Sequence, residues 1–389
     1  MVIEPRIRNN LCLNAHPLGC REQVKLQIRY ALAHRPPSGP RRALVIGSSN
    51  GYGLAARIVA AFGSRAATVG VSYEKAPEPN RTATAGWYNE RAFTLMARED
   101  GLEAWSVNGD AFGAPVKEET VDILRRLGPV DLVIYSIAAP RRADPVTGEL
   151  YTSALKPVGG RFVSKTVDFL TGVVSEVSAD PATDEEVRAT VKVMGGEDWQ
   201  LWMERLLGEG LLARGATTVA FSYVGPEVTS AIYRNGTVGK AKEHLERTAA
   251  VVTRILEAVG GRALVSVNKA LVTRASAVIP AVPLYTSLLY RVMKRKGLHE
   301  GCVEQMVRLY RDHLYSGRAL DLDAEGRLRL DDWEMREDVQ REVAELWERA
   351  STANVRELSD LEGFRSEFLR HHGFGMGGVD YAADVSTEL

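Results

Sequence analysis

The sequence places a tyrosine close to two lysines, a combination that suits acid catalysis on a carbonyl group. Six residues separate Tyr233 from Lys240, and eight separate it from Lys242. A phenol can donate a hydrogen bond or a proton to an oxygen that gains negative charge, and a nearby ammonium lowers the pKa of that phenol. Asn235-Gly236 follows the tyrosine and predicts a loop, where reactive groups often lie. Tyr233 is therefore the candidate acid.

A second chemical signal is the glycine-rich segment from Gly47 to Gly53, spaced G-x-x-x-G-x-G. An apolar run precedes it and a helical pattern follows it. Glycines at such a turn let the backbone approach a pyrophosphate, and the N-terminus of the next helix favours the anion. This spacing is typical of short-chain dehydrogenases and differs from the G-x-G-x-x-G of other dinucleotide-binding proteins. The segment predicts a dinucleotide site.

An acidic residue ends the next predicted strand, as dinucleotide sites require. Glu74 can accept both hydroxyls of the adenosine ribose and would repel a 2′-phosphate, so NADH is expected over NADPH. Asp110-Ala111 should lie by the adenine, and Ile137-Ala138 should pass beneath the cofactor, because ligands lie at the carboxyl ends of such strands. The predicted cofactor residues from these strand ends are Gly47, Ser48, Ser49, Asn50, Gly51, Tyr52, Tyr73, Glu74, Asp110, Ala111, Ile137 and Ala138.

The elements that must position these residues alternate between strand and helix. Predicted strands cover residues 42–47, 67–73, 104–107, 130–137, 217–224 and 264–267, and predicted helices lie between most of them. This order indicates parallel pairing with right-handed crossovers. The predicted fold class is α/β, a doubly wound Rossmann-type parallel sheet of the short-chain dehydrogenase kind with helical additions.

We predict one catalytic unit over residues 1–389. Residues 40–140 and 214–280 should form the dinucleotide-binding core, 141–213 an insertion, and 281–389 a helical substrate-side and C-terminal region. Thr183 and Glu186 form a capping-box pattern that predicts a helix within the insertion. The apolar residues of 281–293 suit either the protein core or the wall of an acyl-chain pocket, and the sequence leaves this open.

Longer strings give this sequence a resemblance to the trans-2-enoyl-CoA reductase family, which includes the class-V enoyl-acyl-carrier-protein reductases. The Tyr-x3-Lys of short-chain dehydrogenases is absent, whereas the Tyr-x8-Lys of this family is present as Tyr233 and Lys242. The resemblance covers nearly the whole chain, and its strings include Ala15-His16-Pro17-Leu18-Gly19-Cys20, Gly86-Trp87-Tyr88-Asn89, Ala139-Pro140-Arg141-Arg142, Met194-Gly195-Gly196-Glu197-Asp198-Trp199 and Gly378-Val379-Asp380-Tyr381.

The resemblance implies NADH-dependent reduction of the C2–C3 double bond of an enoyl-CoA or enoyl-acyl-carrier-protein, within fatty acid biosynthesis or a related acyl pathway. It implies a monomer in which Tyr233 donates the proton and Lys242 binds the nicotinamide ribose. Tyr223 corresponds to a substrate-contacting tyrosine, and Leu271, Val272 and Thr273 to the stretch that touches the nicotinamide. The family's C-terminal segment carries a flavin-binding name, although this chemistry needs no flavin beside NADH.

The choice between the two lysines depends on where a helix begins. Lys240 has the Tyr-x6-Lys spacing of the common enoyl reductases, and on one continuous helix it would share the face of Tyr233. Gly236 and Gly239 instead favour a helix that begins near Gly239, with the tyrosine on a separate loop. The two lysines would then point about 200° apart. The family spacing favours Lys242.

Two other functions remain as alternatives. A ketoreductase acting on acyl thioesters would use the same cofactor site and a tyrosine, although the short-chain dehydrogenase spacing is missing. A non-catalytic NADH-sensing module would instead use the helical additions to bind a partner protein.

Composition excludes several classes of partner. The net charge of −1 provides no field that would recruit nucleic acid or a membrane surface. The opening residues lack the apolar region of a signal peptide, no apolar run could span a bilayer, and three cysteines suit a reducing cytoplasm. No metal is expected at Cys12, His16 and Cys20, because Pro17 and Gly19 should interrupt any helix there and a fourth ligand is missing. The histidines fit no triad and are interpreted as surface or structural.

Overall fold

A computed structural model of the protein describes residues 1–8, 11–273, 279 and 281–389. Its strands, in chain order, are β1 (Ile7–Arg8), β2 (Leu11–Cys12), β3 (Arg42–Ile46), β4 (Ala67–Ser72), β5 (Ala104–Asn108), β6 (Val130–Tyr135), β7 (Arg141–Ala143), β8 (Leu150–Thr152), β9 (Phe162–Val167), β10 (Val174–Ala179), β11 (Leu212–Ser222), β12 (Arg262–Val267) and β13 (Arg327–Arg329).

The helices surround these strands. In chain order they are α1 (Pro17–Ala33), α2 (Gly51–Ile58), α3 (Ala85–Glu99), α4 (Ala114–Leu127), α5 (Asp184–Met194), α6 (Glu197–Gly208), α7 (Glu227–Ser230), α8 (Thr237–Leu256), α9 (Val282–Arg295), α10 (Cys302–Arg308), α11 (Glu337–Arg349), α12 (Val355–Leu358) and α13 (Leu361–Arg370). Helix α2 continues as a π-helix over Val59–Gly63 and α10 over Leu309–Leu314, and α8 ends in the 3₁₀ turn Glu257–Val259.

The predicted doubly wound sheet is confirmed. Within the described part of the chain, seven strands form one parallel sheet in the order β13-β12-β11-β6-β3-β4-β5. The chain order reverses between β3 and β6, and ligands of such sheets bind at this crossing point, outside the carboxyl ends of the strands. Every predicted cofactor segment follows one of these strands.

Both faces of the sheet are covered by helices, which explains the apolar runs of its strands. Helices α1, α2, α3 and α10 contribute to the core on one face, and α4, α6 and α8 to the core on the other. A third core joins α9, α11 and α13 to the segment after β12. Leu284, Leu288 and Leu289 are fully buried and belong to that third core.

The region 141–213 contains two antiparallel hairpins, β7–β8 and β9–β10, before α5 and α6. Sequence patterns predicted the helix after Thr183 and missed both hairpins. The capping box is present, since the Thr183 hydroxyl accepts from the Glu186 N–H at 3.2 Å and the Glu186 carboxylate accepts from the Thr183 N–H at 2.9 Å. Strand β13 was also missed, because Arg327–Arg329 is short and charged and extends the sheet only through its pairing with β12.

The prediction that Gly19 interrupts a helix was wrong, whereas Pro17 does mark a boundary that leaves Cys12 and His16 outside the helix. Helix α1 begins at Pro17, a first-turn position where proline lacks only an N–H that would be unpaired anyway. The His16 ring caps this helix by accepting from the Gly19 N–H at 3.2 Å. A Cβ on Gly19 would lie 1.6 Å from the Gly373 carbonyl oxygen, so this glycine admits the C-terminal segment.

The described residues contain no cluster of three or more His, Cys, Asp or Glu side chains that could hold a metal ion. Over the same residues, no helix has the length and apolar character needed to span a bilayer. The proposed core boundary at residue 280 lies outside the described residues.

Candidate active site

The glycine loop connects β3 to α2 through backbone conformations that require glycine. Gly47 has φ +92° and Gly51 has φ +54°, both in the left-handed region. A Cβ on Gly47 would lie 2.4 Å from the Ser136 carbonyl oxygen, and a Cβ on Gly53 would lie 1.9 Å from the Gly47 carbonyl oxygen. The absent side chains bring the N-terminus of α2 against the end of β3, where its free N–H groups can bind a pyrophosphate.

A buried ion pair between Arg57 and Glu90 holds the glycine loop through Ser48. The Ser48 hydroxyl donates to Glu90 Oε1 at 2.5 Å, and Arg57 Nη1 donates to Glu90 Oε2 at 2.5 Å. Both Ser48 and Arg57 are fully buried, and burial lowers the pKa of the arginine. A Cβ on Gly70 would lie 2.2 Å from Arg57 Nη1, so β4 makes room for the guanidinium. Sequence reasoning missed Glu90, and its only signal was its position directly after Asn89 in a family string.

Glu74 lies just beyond β4 and is held against the glycine loop. Its Oε1 accepts from the Ser49 hydroxyl at 2.8 Å and from the Asn50 amide at 3.3 Å. The side chain of Asn108 bonds both the N–H and the carbonyl of Glu74, at 2.8 and 2.9 Å. A Cβ on Gly86 would lie 2.1 Å from Glu74 Oε1, so the start of α3 also closes on this carboxylate. Next to it, the Tyr73 side chain is 77% exposed.

The predicted adenine segment follows β5 and is braced by the insertion. The Ala111 carbonyl accepts from Lys117 Nζ at 2.8 Å and from Trp202 Nε1 at 3.2 Å. Lys117 also pairs with Asp198 at 2.8 Å, and both side chains are largely buried. Asp110 is exposed at the same loop. Asp198 belongs to the string Met194-Gly195-Gly196-Glu197-Asp198-Trp199, which carried no predicted role, and through Lys117 it supports the predicted adenine segment.

The predicted nicotinamide stretch, Leu271–Thr273, follows β12 and lies next to the glycine loop. The Thr273 methyl carbon is 3.7 Å from where a Cβ on Gly51 would lie. The Tyr52 hydroxyl donates to the Lys269 carbonyl at 2.8 Å, which ties α2 to the same stretch. Ile137 and Ala138 follow β6 between these two segments, one half-buried and the other exposed.

Helical side chains hold the stretch after β12 from its other side. The Val272 N–H donates to the Tyr290 hydroxyl at 3.1 Å, and a ring nitrogen of His371 lies 2.6 Å from the Val272 carbonyl oxygen. The Tyr290 hydroxyl donates in turn to Glu367 at 2.5 Å. These residues come from α9, from α13 and from the residue after it, so the C-terminal region positions the predicted nicotinamide stretch.

Tyr233 and the two lysines do not share a helix. Helix α8 begins at Thr237, two residues before the predicted start, and Tyr233 lies on the preceding loop. The Tyr233 carbonyl accepts from the N–H groups of Gly236 and Gly239, at 3.1 and 3.0 Å. A Cβ on Gly239 would lie 1.8 Å from the Arg234 carbonyl oxygen, so the tight entry into α8 requires glycine. The argument that a continuous helix favours Lys240 therefore does not apply.

The two lysines have different surroundings. Lys240 Nζ pairs with Glu243 on its own helix at 3.1 Å. Lys242 is half-buried, and its Nζ donates to the Phe221 carbonyl at the end of β11, at 3.3 Å. Burial lowers the pKa of Lys242 to about 8. Lys242 is thus the lysine directed at the carboxyl end of the sheet.

Tyr233 packs edge-on against Tyr223, which directly follows β11. The two ring centroids are 4.9 Å apart, with 76° between the ring planes. Burial raises the pKa of Tyr233 to about 12, which keeps the phenol protonated at neutral pH. The sequence argument that an ammonium lowers this pKa is not reflected here, because burial is the larger effect. The arrangement offers a protonated phenol and an amine at the end of one strand.

Family models match consecutive segments of the chain. Residues 2–79 match the NAD(P)H binding domain of trans-2-enoyl-CoA reductase, residues 81–315 its catalytic region, and residues 322–385 an enoyl reductase FAD binding domain. A curated relative from Cytophaga hutchinsonii, enoyl-[acyl-carrier-protein] reductase [NADH], is 55% identical over 100% of this chain and 98% of its own.

Solved structures give the same result. The Treponema denticola trans-2-enoyl-CoA reductase in complex with NAD is 50% identical, with TM-score 0.96 over 99% of this chain and 98% of that one. A Clostridium trans-2-enoyl-CoA reductase in complex with NADH is 43% identical, with TM-score 0.97 over 100% of this chain and 98% of that one.

The residues that match the FAD model do not fit a flavin. They form β13 and α11 to α13, whose apolar side chains pack with α9 in the third core. The turn directly after β13, where a pyrophosphate loop would need glycine, contains the acidic residues Asp331, Asp332 and Glu334 instead. The glycines Gly373, Gly375 and Gly378 lie beyond α13 and do not connect a strand to a helix. We therefore assign no flavin step to this segment.

Proposed function

This chain belongs to the trans-2-enoyl-CoA reductase family, and we propose that it uses NADH to reduce the C2–C3 double bond of trans-2-enoyl thioesters, with Tyr233 and Lys242 as its catalytic residues. The observation that carries the assignment of residues is a pair of contacts at one end of β11. Lys242 donates to Phe221, near the end of the strand, and Tyr233 packs on Tyr223, the residue directly after it. This strand end lies beside the nicotinamide stretch in the fold, since β11 and β12 are neighbours.

The cofactor site supports NADH as the reductant. Gly47, Gly51 and the N-terminus of α2 bind the pyrophosphate, and Glu74 accepts the ribose hydroxyls. When bound, NADH supplies a hydride for the β-carbon of the substrate. The glycine loop fixes one end of the cofactor, and Leu271–Thr273 orients the nicotinamide.

The tyrosine acts on the thioester carbonyl. As the new C–H bond forms at the β-carbon, the double-bond electrons move toward the carbonyl and leave an enolate oxygen. The Tyr233 hydroxyl donates to this oxygen and lowers the energy of the transition state. The Tyr233 proton then passes to the enolate and ends on the α-carbon, which gives the saturated thioester and leaves a tyrosinate. The Lys242 ammonium would donate to the nicotinamide ribose, and a proton relayed through Lys242 from solvent would return the tyrosinate to its phenol form.

The acyl chain of the substrate is bound as a thioester either to coenzyme A or to an acyl-carrier protein, the two carriers that the names of the relatives mention. We further propose a monomer that acts in the cytoplasm without nucleic acid or membrane. The three free cysteines fit a reducing compartment. Sedimentation at enzymatic concentration should give a single species of about the 42.7 kDa chain mass, and a stable dimer would contradict the monomer.

An NADH absorbance assay tests the activity directly. Crotonyl-CoA should be reduced with loss of NADH absorbance, and the product should be butyryl-CoA. Acetoacetyl-CoA serves as the control substrate. Turnover of acetoacetyl-CoA alone would instead support the ketoreductase, and tight NADH binding without any turnover would support an NADH sensor.

A further inference from the structure

A buried carboxylate connects the segment after β11, which carries Tyr223, with the segment after β12, which carries Ala270. Glu334 lies between β13 and α11 and is fully buried. Its Oε1 accepts from the Tyr285 hydroxyl at 2.6 Å and from the Tyr223 hydroxyl at 3.2 Å. Its Oε2 accepts from the Ala270 N–H at 2.6 Å. One side chain thus contacts the segment after β11 and the segment after β12.

The direction of each hydrogen bond at Glu334 follows from what its partners can donate and accept. The Tyr285 oxygen accepts from the Gln340 amide at 3.1 Å, so its own hydrogen points at Glu334. The Ala270 N–H can only donate. Both carboxylate oxygens therefore act as acceptors, as expected of an ionised group. The remaining donor is the Tyr223 hydroxyl, whose hydrogen is directed at Glu334.

A positive charge supports the ionised form. The Lys269 ammonium is 3% exposed and attracts the Glu334 carboxylate, although burial still raises the pKa of Glu334. A buried carboxylate requires such compensation, because an isolated one would be strongly destabilised. The lysine and the three donors provide it.

The Tyr233 hydroxyl makes no hydrogen bond with any residue that the structure describes, so packing must direct it. Its ring rests on Tyr223, and Tyr223 is oriented by Glu334. Resting on the function proposed above, we propose that Glu334 is a positioning residue for enoyl reduction, which sets the direction of the Tyr233 phenol through Tyr223. A displacement of about 1 Å at a reacting group is enough to lower a rate substantially.

A double-mutant cycle tests this relay with crotonyl-CoA as substrate. Glu334→Gln keeps the volume but has one acceptor oxygen, which the backbone N–H of Ala270 should retain. Tyr223→Phe removes the other end of the same hydrogen bond. Each single variant should lower kcat about tenfold. In Glu334→Gln, whose side chain makes hydrogen bonds only to Tyr223, Tyr285 and Ala270 among the described residues, KM for crotonyl-CoA and NADH affinity should stay within about threefold. Because residues in contact have coupled effects, the kcat of the double variant should also be about tenfold lower than that of the unmutated enzyme.

Asp331→Asn is the matched control, since Asp331 is a fully buried carboxylate on the same segment that pairs with Arg329 at 2.7 Å. When it is measured below the unfolding temperature of this variant, its kcat should stay within about twofold of the value for the unmutated enzyme. A double variant that loses about 100-fold would overturn the relay, because the two effects would then be independent. An unchanged kcat in Tyr223→Phe would overturn it too, even if Glu334→Gln does not fold. Failure of the unmutated enzyme to reduce crotonyl-CoA would instead contradict the proposed function.

Discussion

The two ends of the proposed active site, the phosphate end around the glycine loop and the reacting end around Tyr223 and Tyr233, obtain their geometry from different parts of the chain. At the phosphate end, Ser49 bonds Glu74, which is 25 residues away. At the reacting end, Tyr223 bonds Glu334, which is 111 residues away, and Ala270 bonds the same carboxylate across 64 residues. The first end consists of the turns that directly follow consecutive strands. The second is assembled from a loop, a helix and the C-terminal region.

This difference separates backbone recognition from side-chain placement. A glycine loop and a helix N-terminus recognise a pyrophosphate mainly through N–H groups, so the local turn nearly defines the site. An acid must instead meet one substrate oxygen, and its direction depends on every side chain packed against it. Changes at the phosphate end should therefore alter which cofactor binds, whereas changes at the reacting end should alter the rate.

The largest expected effect distinguishes the two lysines. Lys242→Met should reduce turnover by about 10³-fold or more, near the upper range for lost proton-transfer machinery, and should weaken NADH binding. Lys240→Met should leave both within a few-fold, because Lys240 pairs with Glu243 on the same helix. Steady-state kinetics with NADH titration measure both. The reverse pattern would assign the role to Lys240 and its shorter spacing.

The next effect concerns the acid. Tyr233→Phe should lower kcat by roughly 10²-fold, the usual scale for a lost acid or oxyanion donor. NADH affinity should hardly change, because the phenol acts on the substrate. Binding followed by fluorescence and turnover followed by absorbance separate these quantities. If Tyr223→Phe proves more damaging than Tyr233→Phe, the two tyrosines exchange roles.

A smaller effect is expected at the phosphate end. Glu74→Ala should narrow the preference for NADH over NADPH roughly tenfold, the scale of one lost hydrogen bond to a charged group. Glu78→Ala, at an exposed position on the same loop, is the control and should preserve the preference. Ratios of kcat/KM for the two cofactors measure it. Equal use of both cofactors by the unmutated enzyme would contradict the role of Glu74.

The smallest effect is a dependence of NADH affinity on pH. Burial lowers the pKa of Lys242 to about 8, so the ammonium that should bind the ribose is present below this pH and is lost above it. If bound NADH stabilises the ammonium, affinity should decline several-fold from pH 7 to pH 9. Isothermal titration at both values measures the change. Lys242→Met should remove the dependence, and an equal dependence in that variant would assign it to another group.

Much of the fold and of the phosphate end follows from local sequence. The core strands β3, β4, β6, β11 and β12 were predicted because buried parallel strands read as short apolar runs between helices. The edge strand β5, which is mostly exposed, was predicted from its place in the alternating order of strands and helices. Tertiary contacts outside such patterns were missed. Strand β13 is charged and exists only by pairing with β12, and α1 begins at Pro17 because His16 caps it and Gly19 admits the C-terminal segment.

By itself, the sequence determined the parallel sheet and the glycine turn with an acidic residue after the next strand, because these depend on residue type and on spacing along the chain. It also proposed the roles of the tyrosine, the lysines and the acid, which stay predictions. Only the tertiary structure decided that Lys242 faces β11, that Tyr233 lies off the lysine helix, and that Glu334 binds Tyr223. The physical reason is that hydrogen bonds and ring packing act over a few ångströms in space. The number of residues between two positions in the sequence does not show whether their side chains make such contacts.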